Sequence, residues 1–226
     1  MLPDGGYCFD INEKVCNRPP IMAHLEIELK FFITDPAALP ERLAAAGAVR
    51  TIPRTFEHNV RYETEDERLL QSRCLLRLRK DRITTLTFKV PPQREDPRFK
   101  IYRELEVQVS DFATMDTILE ALGFTRRQVY QKWRETWQLS GATLCIDTMP
   151  FGTFLEIEGD PESITALVET FGLCWEHRIR SSYLKIFAEL REAENWPFTD
   201  VTFDNFKGIK VNFSRHRHRF EAGEIL

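Results

Sequence analysis

The sequence predicts an α+β fold in which an antiparallel sheet curls round a charged interior and amphipathic helices pack on its outer face. Three observations carry this expectation. Strands repeatedly alternate ionic and apolar side chains at period two, as in residues 25–32, where Glu26, Glu28 and Lys30 share one face and Leu25, Ile27, Leu29 and Phe31 the other. A Glu-x-Glu strand followed by a capped amphipathic helix occurs at residues 25–47, 102–123 and 154–172, the repetition expected of one pseudo-symmetric body. The ionic faces mix acids and bases. On an open sheet such a lattice would contribute little stability, whereas a closed sheet removes exposed edges and separates interior from exterior along every strand.

Composition bounds the picture. A chain of 226 residues, 42% hydrophobic and 29% charged, has enough apolar content for a core and is not expected to be disordered. Its net charge of −4 argues against a nucleic-acid partner, because that affinity rests on a basic surface. Any bound anion must therefore meet locally concentrated Arg and Lys. The five cysteines, Cys8, Cys16, Cys74, Cys145 and Cys174, are odd in number and form no Cys-x-x-Cys pair, so neither a disulfide framework nor a zinc knuckle is expected. The start is unlike a signal peptide and no stretch approaches the roughly 20 apolar residues of a membrane span. A cytoplasmic protein with no membrane partner is the expectation.

Taken in order, residues 1–22 are polar and turn-rich and read as an N-terminal tail; Cys8, Cys16 and His24 lack the spacing of a metal site. After the opening strand, Thr34-Asp35-Pro36 signals an N-cap, Leu39, Leu43 and Ala46 recur at helical spacing, and Gly47 ends the helix, whose regular part must start near Pro40. Residues 75–79 set Arg77 and Arg79 against Leu76 and Leu78, and residues 83–90 set Thr85, Thr87 and Lys89 against Leu86, Phe88 and Val90. The charged, proline-bearing stretch 91–100 reads as a mobile loop overhanging a binding mouth. Glu104 and Glu106 then alternate with Leu105 and Val107, Asp111 offers a cap, and Phe112, Met115, Ile118, Leu119 and Leu122 form an apolar stripe ending at Gly123.

Residues 128–139 set Tyr130, Lys132, Arg134 and Thr136 against Val129, Trp133 and Trp137, with Glu135 as an exception on the apolar side. Gly141 sits where a hairpin turn is needed before residues 143–148, in which Cys145 and Asp147 oppose Leu144 and Ile146. Glu156 and Glu158 alternate with Leu155 and Ile157, Asp160-Pro161 caps the next helix, and Ile164, Leu167, Val168 and Phe171 make its stripe. A helix over residues 181–192 ends the body, which spans residues 23–192. The tail, residues 193–226, carries Trp196, Phe198, Phe203 and Phe206, too apolar to stand in water, and is expected to dock on the body or on the second subunit of a homodimer. Its basic run at 215–219 reads as a solvated end.

One sheet face thus gathers Glu26, Glu28, Glu104, Glu106, Asp147, Glu156 and Glu158 beside Lys30, Arg77, Arg79, Lys89, Lys132 and Arg134. Enclosing these charges would carry a large desolvation cost unless water and a charged ligand filled the space. Carboxylates suit hard cations such as Mg²⁺ or Mn²⁺, and arginine forks and lysine ammonium groups suit phosphate oxygens. The matching ligand is a polyanion carrying a divalent metal. No P-loop is present.

The ordered set Glu26-x-Glu28-x-Lys30, Leu76-Arg77-Leu78-Arg79, Lys89, Glu104-x-Glu106, Lys132-x-Arg134, Asp147 and Phe151-Gly-Thr-Phe-Leu-Glu156-Ile-Glu158-Gly resembles the CYTH superfamily, the triphosphate tunnel metalloenzymes, over roughly residues 24–190. The resemblance implies an eight-stranded antiparallel β-barrel forming a tunnel with a polar charged interior, built from two β-α-β-β-β repeats. It implies metal-dependent hydrolysis of tripolyphosphate, thiamine triphosphate or a nucleoside triphosphate, or class IV adenylate cyclase activity giving cyclic AMP and pyrophosphate from ATP. A non-catalytic polyphosphate or nucleotide sensor is a third reading, against which the full acidic set speaks. Carried over by position, Lys30, Arg77, Arg79, Lys89, Lys132 and Arg134 would bind the triphosphate, and Glu26, Glu28, Glu104, Glu106, Asp147, Glu156 and Glu158 would hold metal and position water. Lys89 would assist the leaving phosphate, Glu28 would be essential to turnover, and Tyr62, kept from the family's Tyr-Tyr-Asp stretch, would lie near the leaving group.

Overall fold

The computed structural model describes residues 24–222; Cys8, Cys16 and the side chain of His24 lie outside the described residues. The elements run β1 (His24–Phe32), α1 (Leu39–Ala45), β2 (Val49–Glu63), α2 (Arg68–Gln71), β3 (Leu75–Lys80) and β4 (Thr84–Val90), then β5 (Lys100–Val109), α3 (Phe112–Ala121), β6 (Thr125–Leu139), β7 (Ala142–Met149), β8 (Gly152–Glu158), α4 (Pro161–Thr170) and α5 (Tyr183–Glu194). The strands close into one antiparallel barrel in the order β1-β5-β4-β3-β2-β6-β7-β8. Two β-α-β-β-β units are evident, one opening with β1 and the other with β5. The third Glu-x-Glu strand and its helix, β8 and α4, end the second unit instead of starting another.

Alternation along each strand decides what faces out. Leu29, Phe31, Leu144, Ile146, Leu155 and Ile157 are buried on the outer wall beneath Leu39 and Leu43 of α1 and Ile164, Leu167 and Val168 of α4. Each such side chain contributes about 1.5–3 kcal/mol when fully buried. A second outer cluster joins Val60, Leu76 and Leu78 to Leu119, with Phe112 and Met115, of α3. Its stripe is narrower than the sequence suggests, since Ile118 and Leu122 are 44% and 70% exposed. Asp111 and Asp160 cap α3 and α4 as expected, accepting from Thr114 N at 2.7 Å and Ser163 N at 2.9 Å. The Thr34-Asp35-Pro36 signal caps nothing. There α1 begins at Leu39 with Ala38 in the capping position and Pro40 in the first turn, where proline's missing N–H costs least.

The β6–β7 hairpin turns at Ser140 and Gly141, both left-handed at φ 51° and 81°, a pair that suits the twist of the flanking strands. Glu135, the acid on the apolar side of β6, accepts from Trp137 Nε1 at 2.9 Å and so satisfies the indole. Residues 91–99 are held more firmly than a mobile loop would be: Phe99 is buried against Trp175, and Arg180 Nη1 donates to the Pro97 carbonyl at 2.5 Å.

Toward one end of the barrel the inward face changes from ionic to aromatic. Phe32 and Phe154, in register with each other, meet Phe213, Tyr183 and Phe151 there. The tail completes this plug, with Trp196, Phe198 and Phe206 packed on Phe187 of α5. It also covers a free strand edge. Val201 bonds to Val129 and Gln131 along β6, while Ile179, ahead of α5 and not part of the tail, pairs with Lys30 along β1. The basic run is partly engaged, His216 meeting Glu194 at 2.6 Å and Arg217 meeting Glu221 at 3.0 Å.

Candidate active site

The barrel interior and its mouth form a cavity of about 990 Å³. Its wall carries Glu26, Glu28 and Lys30 from β1, Arg77 and Arg79 from β3, Lys89 from β4, Glu104 and Glu106 from β5, Lys132 and Arg134 from β6, and Glu156 and Glu158 from β8. Period-two alternation places all of them inside.

Opposite charges meet throughout. Glu28 is 3% exposed, and its Oε1 accepts from Lys30 Nζ at 2.8 Å and Lys100 Nζ at 2.5 Å. Burial works against its ionisation, yet Lys100, Lys30 and Lys89 outweigh burial and hold the carboxyl well below its ordinary range. Lys89 Nζ donates to Glu26 at 2.6 Å and makes a close ion pair with Glu104, its cross-strand neighbour. Burial nevertheless brings the Lys89 ammonium down to about 8, with Lys100 and Arg77 adding to the effect against the pull of Glu26. Arg134 bridges Asp147 and Glu156, at 2.6 and 2.8 Å.

Glu158 differs from its neighbours. It stands directly across from Glu28 and makes no ion pair or side-chain hydrogen bond among the described residues. Burial first, then Glu26, Glu28 and Glu156, push its carboxyl up to about 7. Negative charge is therefore in local excess where β1 and β8 meet.

An all-oxygen donor set of this kind suits a hard divalent cation. Glu26, Glu28, Glu156 and Glu158 fit one by chemistry and proximity, although no group of three or more acidic, His or Cys side chains is already gathered for a metal among the described residues. The lysine ammonium groups at Glu28 stand where positive charge is wanted. Two acids of the expected set are engaged elsewhere. Asp147 has no exposed surface, and its oxygens accept from Lys132 at 3.0 Å, Arg134 at 2.7 and 2.6 Å, and Tyr183 at 2.9 Å. With those bonds made it orients the bases of β6. Glu106 accepts from Thr87 Oγ1 at 2.6 Å and lies 3.5 Å from Arg77.

Tyr62 is on the wrong face for the role expected of it. It packs outside the barrel with Leu69, Leu76 and Leu78, and its hydroxyl donates to Asp116 of α3 at 2.5 Å. Adjacent strand residues face opposite ways, so Arg61 enters the cavity wall and Tyr62 does not. Glu63, its neighbour, caps α2 by accepting from the Leu69 and Leu70 amides, each at 2.9 Å.

Lys100 went unassigned because residues 91–100 read as loop, although the alternation Lys100, Tyr102, Glu104, Glu106 extends β5 back to it. All of β2 was also unread as a strand. Pro53 and the irregular pairing near residues 50–55 obscure its period, and Glu57, Asn59 and Arg61 face inward from its second half. Tyr183, at the start of α5, closes the aromatic end and lies 5.2 and 5.5 Å from Lys30 and Lys132.

A closed barrel with a two-signed lumen and a plugged end is a recognisable architecture. The CYTH domain matches residues 24–183, and the chain belongs to that family. Solved structures agree on the fold. A Vibrio parahaemolyticus protein provisionally named an adenylate cyclase is 21% identical with a TM-score of 0.65, covering 74% of this chain and 99% of its own. The PH1819 protein of Pyrococcus horikoshii OT3 is 26% identical with a TM-score of 0.59, over 74% and 99% of the two chains. A Hippeastrum protein provisionally named an adenylyl cyclase, and described as having a dominant triphosphatase activity, is 16% identical with a TM-score of 0.53, over 73% and 96%. Compared with curated proteins, the chain finds no match. Among the described residues, no helix is long and apolar enough to cross a membrane.

Proposed function

We propose that this chain is a divalent-metal-dependent triphosphatase that hydrolyses a phosphoanhydride bond of tripolyphosphate, thiamine triphosphate or a nucleoside triphosphate. One observation carries the reading: bases able to grip a phosphate chain and an acid patch in local negative excess share a single cavity. Family membership and the triphosphatase activity described for the Hippeastrum neighbour support it.

Lys30, Lys100, Arg77, Arg79, Lys132 and Arg134 would hold phosphate oxygens, and Asp147 and Tyr183 would fix the β6 pair in place. Glu26, Glu28, Glu156 and Glu158 would hold Mg²⁺ or Mn²⁺, which when bound neutralises phosphate charge and acidifies water. The attacking water forms the new P–O bond and loses its proton to a carboxylate of this patch. The bridging P–O bond breaks and its electrons go to the leaving phosphate. Lys89, at about 8, is suited to donate a proton or a charged hydrogen bond to that oxygen.

A second reading, ATP cyclisation, is favoured by cavity size. About 990 Å³ exceeds what a triphosphate fills, and Tyr102, Leu70 and Leu75 lend the wall aromatic and apolar surface beyond the ionic centre. Purified protein incubated with tripolyphosphate, thiamine triphosphate or ATP, each with Mg²⁺ or Mn²⁺, separates the readings. Released phosphate indicates the hydrolase and cyclic AMP with pyrophosphate the cyclase. Tight binding without turnover would overturn both and leave a sensor.

A further inference from the structure

Strand β6 outruns its partner on one side. It pairs with β2 along nearly its whole length, but β7 joins it only from Trp133 onward, so residues 125–132 would present a bare edge there. The tail fills part of that edge, and it comes from outside residues 24–183 that the CYTH domain matches. Val201 runs parallel to Tyr130, its N–H donating to the Val129 carbonyl at 2.8 Å and its carbonyl accepting from Gln131 N at 2.9 Å. Side chains fasten both flanks. Asp200 Oδ1 accepts from Val129 N at 2.8 Å, Gln128 Nε2 donates to the Thr199 carbonyl at 2.6 Å, and Gln131 Oε1 accepts from Phe203 N at 3.1 Å. Asn205 Nδ2 in turn holds the Asp200 carbonyl at 2.9 Å. Clamped in this way over so short a stretch, β6 has a fixed direction in which to present the side chain between Val129 and Gln131.

That side chain is Tyr130, which is 6% exposed and belongs to two neighbourhoods. Its ring is part of the aromatic cluster that contains Trp196, Val201 and Phe206 of the tail, while its hydroxyl reaches the cavity wall and accepts from Arg77 Nη1 at 3.3 Å. Arg77 Nη2 donates to Thr87 Oγ1 at 3.1 Å and lies 3.5 Å from Glu106. The guanidinium is therefore held from two sides, by β4 and β5 through Thr87 and Glu106 and by β6 through Tyr130. A long side chain free to rotate loses that freedom when it grips a ligand, and a scaffold that has already fixed it spares the ligand that loss. A phenylalanine would serve the cluster equally well; the hydroxyl finds its use at Arg77.

We propose that the tail segment 199–203 is a working part of the active site: by clamping β6 it aims the Tyr130 hydroxyl at Arg77 and keeps that guanidinium in one orientation before substrate arrives. Tyr130 is then a positioning residue. The use made of Arg77 rests on the triphosphatase reading; the link from tail to Tyr130 to Arg77 does not.

Full-length Tyr130→Phe, Asp200→Ala and Asp200→Asn are compared with wild type by tripolyphosphate kinetics with Mg²⁺, by metal-free tripolyphosphate calorimetry and by thermal melting. Tyr130→Phe should raise KM and weaken metal-free binding about fivefold, the worth of roughly one hydrogen bond, with kcat within about twofold. Asp200→Ala should act in the same direction, and the double variant should be no worse than Tyr130→Phe alone, since the tail acts through the hydroxyl. Asp200→Asn, which keeps an oxygen for Val129 N, should restore wild-type values. Nitrogen NMR spectra of the ligand-free protein give a readout independent of catalysis. The Nη signals of Arg77, identified by their loss in Arg77→Lys, should shift and broaden in Tyr130→Phe and in Asp200→Ala but not in Asp200→Asn. Fully additive losses in the double variant overturn the proposal, as does a lower melting temperature in Tyr130→Phe with KM and binding unchanged. Arg77 signals indifferent to Tyr130 or to Asp200 overturn it as well. A wild type that neither binds nor hydrolyses tripolyphosphate sinks the triphosphatase reading, and the spectra then decide the link by themselves.

Discussion

Replacing Glu28 by Gln tests the charge arrangement most directly. The carboxylate is 3% exposed and faces two ammonium groups, 2.8 and 2.5 Å from one oxygen. In the variant Lys30 keeps Glu156 at 3.5 Å, while Lys100 keeps the Tyr102 ring at 5.5 Å as its nearest recorded contact. Removing one member of a buried ion pair costs about 3–5 kcal/mol, and the amide oxygen still accepts, so about 3 kcal/mol is expected. For a chain of this size that lowers Tm by about 6–12 °C. The folded-state pKa of Glu28 is depressed, so its contribution is present above the unfolded carboxylate pKa and is lost as pH falls through the folded value. The Tm gap between variant and wild type should accordingly close in acid. Function should split in a diagnostic way. Metal-dependent triphosphate turnover should fall more than a hundredfold, whereas metal-free tripolyphosphate should bind about thirtyfold more tightly, because removing one repelling charge at about 8 Å is worth about 2 kcal/mol at an effective dielectric of about 20. Phosphate release and calorimetry in EDTA read the two effects. Retained turnover, or weaker metal-free binding, would refute the reasoning.

Glu158 gives a pH test. Its folded pKa, about 7, lies above the unfolded carboxylate value, so its stabilising contribution is present in acid and lost as pH rises through 7, while affinity for Mg²⁺ or Mn²⁺ should rise over the same interval as the proton is displaced. Calorimetric metal titrations from pH 6 to 8 should show this slope, and a flat profile would contradict it. Tyr62→Phe should leave KM and kcat within about twofold and lower stability by about 1–3 kcal/mol, since it deprives buried Asp116 of a 2.5 Å hydrogen bond. A large loss of kcat without a fall in Tm would return Tyr62 to the reaction. Phe213→Ala, which empties a side chain 2% exposed at the centre of the aromatic plug, should cost about 3–5 kcal/mol by denaturant melting; a loss below 1 kcal/mol would mean that the tail is not part of the fold's core.

The inward set was readable where alternation was clean. On β1, β3, β5 and β8 a period-two row of charges against leucine and isoleucine leaves one assignment, and each residue so placed lines the cavity. Reading failed where another signal overlay the period. Pro53 and the bulged pairing hid β2, and with it Glu57, Asn59 and Arg61. A charged, proline-rich approach hid Lys100 at the start of β5. Position in a motif misled in the case of Tyr62, because a one-residue offset on a strand reverses the face. Which acid is free and which is saturated was beyond the sequence. Asp147 and Glu158 are both acids on inward faces, and only three-dimensional neighbours distinguish a carboxylate holding two bases and a tyrosine from one crowded by other carboxylates.

That contrast explains why the lumen can be polar and still closed. Without a ligand, nearly every buried base has an acid against it, so the desolvation cost of each charge is offset by its partner. A polyanion alone must draw lysine and arginine away from carboxylates and leave those carboxylates bare. A metal ion alone must displace ammonium groups and leave them bare in turn. A metal-bearing polyanion offers a new partner to both sets at once, acids turning to the cation and bases to the phosphate. If the ligand is the proposed metal-bearing triphosphate, exchanging partners is more favourable for the combined ligand than for either component alone, and a lumen of interleaved opposite charges would favour it.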